Sequence, residues 1–515
     1  MTGVGVGSVA TALPALAVAP SGTGGLLRRN QAFNIRLAAA NYQKNRPLPA
    51  HRDNGDEALY AMRIGNFSKT LPHNAAGEVD PAAYNALRTA CLSGSEADFE
   101  AVPAGGAGKL VTPQAAYTFN LEGADSAALG IPAPPAFASL DEAGEMAELY
   151  WMALTRDVHF SDYATNPVTL AAAAELAGFP NFGWVNAGNL FRAPLPGVDT
   201  GPYVSQFLYK DIPYGATTVT QKYKVPVAAV DHMLTLAECV NLQNGGAPST
   251  ALTLDSTPRY LRNGRDVGEW VHRDYTYQGG LDAALILLSY GGGALNPTNP
   301  YLSYGRQAPF VNFGAAMILD LVARTSWAVL KTVWYQKWVV HRRLRPEAFS
   351  ARVHAHVNGM ASYPIHPALL NSQALAQTQS TFSTSLQPQA YPEGCPAHPA
   401  YPAGHPTLSG AFTTILKAFF KESFEIPSPV VASADGLSLV PYAGILTVGG
   451  ELNKLALNIA RARDIAGVHW YTDGYWGAIL GEQVAIQILT DLKNTLTEDF
   501  VGWSFTKFDG TTAVI

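Results

Sequence analysis

Three short stretches of the chain concentrate side chains that bind anions and move protons. The first is KWVVHRRLRPE, Lys337 to Glu347, in a window where six of the 34 basic residues fall between Lys331 and Arg352. Lys337 and Arg345 are eight positions apart, about 12 Å along an ideal helix, so two long cationic side chains can converge on one small anion. The second is HPAYPAGHP, His398 to Pro406. Its prolines forbid a helix before Gly404, and Pro406 suits the first turn of a helix that follows. A glycine here lets backbone N–H groups face an oxyanion at a helix N-terminus, with His405 at its mouth as a group able to transfer protons. The third is RARDIAGVHWYTD, Arg461 to Asp473. Gly467 separates Arg463 from His469, so the two can reach one space from two backbones, and Asp473 can orient the His469 ring. Each stretch alone also fits plain structure: a solvated basic helix end, a Pro-Gly turn, a helix C-cap beside a core histidine. Together they offer three cations, a glycine amide and two histidines around one tetrahedral oxyanion.

The elements that must carry these groups are helices. Ala315 to Leu344 reads as one long helix with Ile318, Leu321, Val322, Leu330, Val333 and Trp334 on apolar positions and Pro346 as its stop. Pro406 to Phe420, Gly450 to Ala466 and Trp476 to Leu492 read as three more. Upstream, Arg28 to Ala40, Ala143 to Leu154 and Pro167 to Ala177 have helical composition. A helix beginning near Val267 is expected to run on through Asp282 to Leu288. Gly188 to Ser205 is too rich in Gly and Pro for a regular element, and Thr217 to Val227 carries the one convincing strand or hairpin signal. Asn296 to Pro309 is turn-rich. The expected organisation is a flexible Gly/Ala-rich tail over 1–25, an N-terminal helical half over 26–300 and a C-terminal helical half over 301–515 that carries the site, the two halves forming one compact unit.

Composition narrows the class of protein. With 515 residues and 48% hydrophobic content the chain has ample material for a core, which excludes global disorder. Charged residues are only 14%, below the usual quarter, which points to surface hidden in contacts between subunits. A net charge of −6 gives no basic excess to meet a phosphate backbone, so nucleic acid is a poor partner. Cys91, Cys239 and Cys395 are far apart and show no zinc spacing. No apolar run reaches the length of a membrane helix. The stretch around Ala17 to Pro20 has the look of a weak export signal, but no Lys or Arg precedes it, and it reads better as part of the tail.

The pattern Lys-x7-Arg-Pro, Pro-x-Gly-His, Arg-x5-His-x3-Asp resembles that of vanadium-dependent haloperoxidases and their acid-phosphatase relatives. The wording FVNFGAA, YQKWVVHRRLRPEA, HPAYPAGH, LTVGGELNKLALNIARARDIAGVH, GEQVAI and KFDGTT, with LPHN, GNLFR and GPYVSQF upstream, is similar to the bromoperoxidases of marine algae from about Ala40 to the C-terminus. The resemblance implies an all-α fold, with a core of two four-helix bundles and minor β hairpins, assembled as a homo-oligomer. It implies one vanadate per subunit bound through His469. Lys337, Arg345, Arg463 and the Gly404 amide would hold its oxygens, and His405 would serve as acid and base toward hydrogen peroxide. Lys337 would also polarise the peroxide. His398 matches the second histidine of bromide-type members, which favours bromide and iodide. Trp334 would wall the site, Asp274 in WVHRD would partner Arg463, and Asp473 would support His469. The implied reaction oxidises halide to hypohalous acid, which halogenates small organic nucleophiles. An exported or cell-surface location suits such a diffusible product.

Two departures stand out. Ala403 occupies the place of the family's usual serine, a loss worth about 1–3 kcal/mol of vanadate affinity if nothing replaces the hydroxyl. Leu302 to Pro309 (LSYGRQAP) has no carboxylate where some algal enzymes bind calcium, so calcium is not carried over. The same site residues would also serve an acid phosphatase, with His469 as nucleophile and His405 protonating the leaving group. A non-catalytic oligomeric shell protein is the third reading, motivated by Ala403 and the sparse charge.

Overall fold

The computed structural model describes residues 25–515; the Ala17–Pro20 stretch and nearly all of the segment read as a tail lie outside the described residues. The longer helices are α1 (Gly25–Lys44), α2 (Pro81–Ser93), α3 (Leu140–Thr155), α4 (Pro167–Leu176), α5 (Gly264–Arg273), α6 (Gln278–Ser289), α7 (Ala315–Trp334), α8 (Pro346–Val357), α9 (Gln373–Phe382), α10 (Gly404–Phe419), α11 (Val448–Ile465) and α12 (Tyr471–Lys493). Helices α7, α10, α11 and α12 pack on one another as a bundle, with α10 at its centre. A second group gathers on α3, against which α4 and α9 pack. Apart from His405, every side chain of α10 is buried, which is what a helix enclosed on all sides requires. Gly410 of α10 and Gly481 of α12 bring the two backbones into contact, since a Cβ at either would overlap the facing main chain. One large apolar core takes residues from both sides of Pro300, Trp151 and Phe207 together with Ile415 and Leu455. Among the described residues no helix is long and apolar enough to cross a membrane.

Among the described residues the strand content is three two-stranded antiparallel hairpins: β1 (Ile212–Tyr214) with β2 (Thr217–Val219), β3 (Val430–Ala432) with β4 (Leu439–Pro441), and β5 (Ser504–Thr506) with β6 (Thr512–Val514). The first begins before the expected Thr217–Val227 segment and closes at Val219, turning at Gly215 with a φ of 61°. Beyond it Tyr223 and Pro226 make isolated bridges only, and Pro226 has no N–H to extend a ladder.

Three helix expectations are corrected, and each correction bears on the site. The segment from Ala315 does not run as one helix to Leu344. It is α-helical to Trp334, widens into a π-helix over Tyr335–His341, and stops at Arg342 in the left-handed region (φ 42°). Pro346 therefore starts α8 at its first position rather than ending α7, and Arg345 before it is extended, as a residue preceding proline must be. The helix expected from Val267 to Leu288 is two helices, broken at Asp274, whose ψ of 153° takes it out of helical geometry. Helix α12 starts at Tyr471, five residues before Trp476, because the Asp473 carboxylate accepts the Trp470 N–H (3.2 Å) and caps the turn.

Candidate active site

Lys337 leaves the π-helical turn and is fully buried. Its Nζ donates to the carbonyls of Pro399 (2.6 Å) and Ala400 (2.7 Å). An ammonium has three donors, so one remains for another acceptor. Arg345, held extended before Pro346, donates from Nε to the His398 carbonyl (3.0 Å) and from Nη2 to His398 Nδ1 (2.9 Å). Its Nη1 donates to the Val468 carbonyl (2.7 Å) and to His469 Nε2 (2.8 Å). Lys337 and Arg345 thus meet the His398–Ala400 loop from two different elements, not along one helix face.

His469 follows Gly467, whose φ of 90° and crowding by Gln387 and Gln389 admit no side chain. Its Nδ1 lies 2.7 Å from Asp473 Oδ2. Because Arg345 donates into Nε2, the ring proton sits on Nδ1 and is given to Asp473, leaving the Nε2 lone pair toward the cations. Burial holds the His469 pKa well below the usual histidine range, and the fields of Arg345, Lys337 and Arg463 push it the same way. Burial and the cations thus favour the neutral ring, whose Nε2 lone pair can act as a donor. His398 is depressed in the same manner by burial, Lys337 and Arg345, and its ring lies 4.9 Å from Trp334, which closes that side.

Gly404 opens α10, so its N–H is one of the amides that a helix leaves without an internal acceptor. Ala403 is the N-cap, buried and without a side-chain bond to the helix. Arg463, near the end of α11, places its guanidinium 5.5 Å from the Tyr391 ring, and among the described residues its buried Nε has no acceptor. The expected Asp274–Arg463 pair is corrected: the break after α5 delivers Asp274 to His405, with Oδ1 3.1 Å from Nε2. Asp274 also lines a cleft of about 310 Å³ with Tyr223, Glu269, Trp270, Arg273 and Gln278.

The charge balance indicates what kind of ligand the site would take. The neighbouring carboxylates are engaged elsewhere: Asp473 by Arg343 and His469, Glu347 by Lys69, Asp274 by His405. Among the described residues no carboxylate pairs with Lys337, Arg345 or Arg463. Burial and the neighbouring cation Arg345 hold Lys337 well below its usual pKa, and such a cluster is costly until an anion enters it. A tetrahedral oxyanion whose central atom accepts an imidazole nitrogen fits this donor set; a metal cation would be repelled by it.

The second helical-bundle domain of the VCPO family matches residues 329–498. A vanadium-dependent bromoperoxidase of Ascophyllum nodosum is 37% identical over 506 residues, which cover 92% of this chain and 90% of that relative. The chain belongs to the vanadium-dependent bromoperoxidase family. A member from Corallina pilulifera is 33% identical, with 95% of this chain and 98% of the relative covered. The fold is similar to the homohexameric second vanadate-dependent bromoperoxidase of Ascophyllum nodosum, with a TM-score of 0.91 and 31% identity over 98% of this chain and 93% of that one. The N-cap residue Ala403 sits where a serine hydroxyl could reach only the His405 amide within the helix, since Pro406 has no N–H.

The sequence reading did not include the buried acids and arginine behind the site. Helix α3 carries Glu142, Glu145 and Glu148 at three-residue spacing, all buried. Arg343 joins Glu142 and Glu145 to Asp473, while Glu148 and Asp464 hold Arg461. Lys69, Gln243 and Glu347 brace the loop at Cys395 that leads to His398. Three glutamates on a helix otherwise rich in Leu, Met, Tyr and Trp were a readable signal, because buried carboxylates require partners.

One test follows from the corrected pairing. Asp274→Asn keeps the shape but removes the carboxylate that accepts from and orients the His405 ring. Bromination by the vanadate-loaded protein should fall about 10- to 100-fold. Vanadate affinity, measured by equilibrium dialysis, should change little.

Proposed function

We propose that the protein is a vanadate-dependent bromoperoxidase that uses hydrogen peroxide to oxidise bromide, and iodide, to hypohalous acid, which then halogenates small organic nucleophiles. The observation that carries the reading is a neutral, Asp-oriented imidazole facing three buried cations that no carboxylate of the described residues pairs. The names of the relatives support it. When bound, vanadate would supply a Lewis acid that binds and activates peroxide without changing oxidation state.

The protein's part is to bind, orient and move protons. His469 Nε2 is the ligand nitrogen, kept neutral by burial and held in one tautomer by Asp473. Lys337, Arg345 and Arg463 neutralise the oxyanion, and the Gly404 N–H adds a donor at the start of α10. His405 gives its Nε2 proton to Asp274 as a hydrogen bond and so keeps Nδ1 for taking a proton from, or returning it to, peroxide oxygen. Lys337 keeps one ammonium donor that can stabilise charge developing on that oxygen. His398 and Trp334 form the wall beside Arg345 on which a halide would arrive. The chain assembles as a homo-oligomer, as its solved homohexameric relative does, and the diffusible product fits an exported or cell-surface setting.

The experiment is reconstitution. Protein freed of vanadate should be inactive, should brominate a diketone with peroxide once vanadate is added, and should be blocked by phosphate, which has the same shape and charge. Turnover of a phosphate ester by the vanadate-free protein, with no gain in bromination on adding vanadate, would replace this reading by a phosphatase using His469 as nucleophile.

A further inference from the structure

His272, in the last turn of α5, stands between two stretches of backbone that serve the site. Its Nδ1 lies 2.9 Å from Glu269 Oε2, one turn back on α5, and its Nε2 lies 2.7 Å from Glu393 Oε1 on the loop that runs to His398. A neutral imidazole has one N–H and one lone pair, and a lone pair this close to a carboxylate oxygen is repelled. Carboxylates at both nitrogens therefore require a proton on each, and the ring is a cation. Burial opposes that charge, but the bonds to Glu269 and Glu393 outweigh it and hold the His272 pKa above the ordinary histidine value. Glu393 answers in the opposite sense: burial raises its pKa, and the bond to His272 more than reverses this.

The ring reaches the site through three neighbours. It is stacked on Tyr391, with 3.9 Å between centroids and 11° between planes. Tyr391 in turn donates its hydroxyl to the Gly268 carbonyl of α5 (2.5 Å) and lies 5.5 Å from the Arg463 guanidinium. Two residues after His272 the broken helix turns Asp274 to His405. Beyond Glu393 the loop is tied at Cys395, whose carbonyl accepts Lys69 Nζ (2.5 Å). It then supplies the carbonyls of His398, Pro399 and Ala400 that accept from Arg345 and Lys337. The other charges about the ring are Arg273, on Glu269 Oε1 (2.8 Å), and Lys69, which also donates to the Glu393 carbonyl (2.9 Å). The His272 side chain is 18% exposed, so it exchanges protons with solvent.

We propose that His272 is a positioning residue of the oxyanion pocket, an imidazolium clamp that ties the end of α5, with Asp274, to the loop that presents Tyr391 and His398, and that lets go when the ring loses a proton. It rests on the oxyanion reading given above and adds a control to that site. A folded pKa above 6.5 means that the clamp is complete below the ordinary histidine value and is lost as pH rises through the folded one.

The test is anion affinity, by equilibrium dialysis with vanadate and with phosphate at pH 6 and pH 9, of the full chain and three variants. Each variant is compared with the natural chain at the same pH, so the anion's own titration cancels. Glutamine can donate to one carboxylate at either pH, as a neutral ring does. His272→Gln should bind about 10-fold more weakly than the natural chain at pH 6 and within about twofold of it at pH 9, where the natural chain has lost the clamp too. Glu393→Gln cuts the link from its more exposed side and should show the same closing gap, which keeps the test intact if His272→Gln does not fold. His272→Arg, charged at both pH values and planar enough to stack on Tyr391, should match the natural chain at pH 6 and bind more tightly than it at pH 9. A gap of equal size at both pH values, no gap at either, or an arginine variant as weak as the glutamine one at pH 6 would overturn the clamp. Bromination of the same samples separates the two readings. A closing gap in a protein that never brominates with vanadate would keep the clamp and remove the peroxidase, whereas bromination with natural anion affinity in both glutamine variants would keep the peroxidase and remove the clamp.

Discussion

Replacing His469 by alanine is expected to abolish vanadate-dependent bromination while leaving the protein folded. The ring is the one neutral nitrogen donor presented among the site cations with its proton committed elsewhere, to Asp473. Its removal leaves Arg345 with two carbonyls and His398 as acceptors, so the cationic pocket survives. Lys337, Arg345 and Arg463 can still attract an oxyanion, but the bond to its central atom is gone. Vanadate should then bind no better than phosphate, a loss of more than about 100-fold, and bromination should drop about 1000-fold or more. Equilibrium dialysis with both anions and a melting curve of the vanadate-free variant separate loss of the ligand from loss of the fold. A variant that still brominates at the original rate on adding vanadate would show that the ligand nitrogen is elsewhere.

The legible part of this protein was the set of residue types; the unread part was the backbone that aims them. Lys337, Arg345, Gly404, His405, Arg463 and His469 could be singled out because cations, a glycine and histidines next to prolines have few structural uses in common. The helix carrying Lys337 could not be read correctly to its end, since a π-turn and a left-handed Arg342 leave no periodic signature, and the proline that seemed to stop it in fact starts α8. The partner of Asp274 was misassigned for a related reason. Sequence spacing says nothing of which way a residue leaves a broken helix, and the break after Arg273 sends this carboxylate to His405. Helix α12 was entered late because its cap is an aspartate three residues in, behind a tryptophan, with no Ser or Thr at the N-cap to mark it. The small hairpins at Val430–Pro441 and Ser504–Val514 escaped since strands of three residues are too short to show alternation.

The acids behind the site give the second large effect, in Arg343→Leu. The guanidinium of Arg343 sits 4.8 Å from the Trp470 ring and donates to Asp473 Oδ1 (2.8 Å), Thr472 Oγ1 (2.9 Å), Glu145 Oε2 (3.0 Å) and the Glu142 carboxylate. Leucine there would leave three buried carboxylates without their cation, a loss of about 3–5 kcal/mol in folding stability. Asp473 would also lose the contact that fixes it under His469, and vanadate affinity should fall about 10- to 100-fold although Arg343 touches no part of the anion pocket. The pH dependence separates this cause from a simple cavity. Burial already holds Glu142 well above the ordinary carboxylate range and raises Glu145, with Arg343 opposing both. Without Arg343 their folded pKa values rise further, while in the unfolded chain they stay at the ordinary 4.5. Between those limits the folded state binds more protons than the unfolded state, so stability falls as pH rises and recovers as pH falls. The deficit of the variant against the natural chain, measured by denaturant unfolding, should therefore shrink from pH 8 to pH 5. A pH-independent deficit would mean that Arg343 fills space instead of holding charge. Arg343→Lys should recover only part of the loss, because one ammonium cannot span Glu142, Glu145 and Asp473 as a planar fork does.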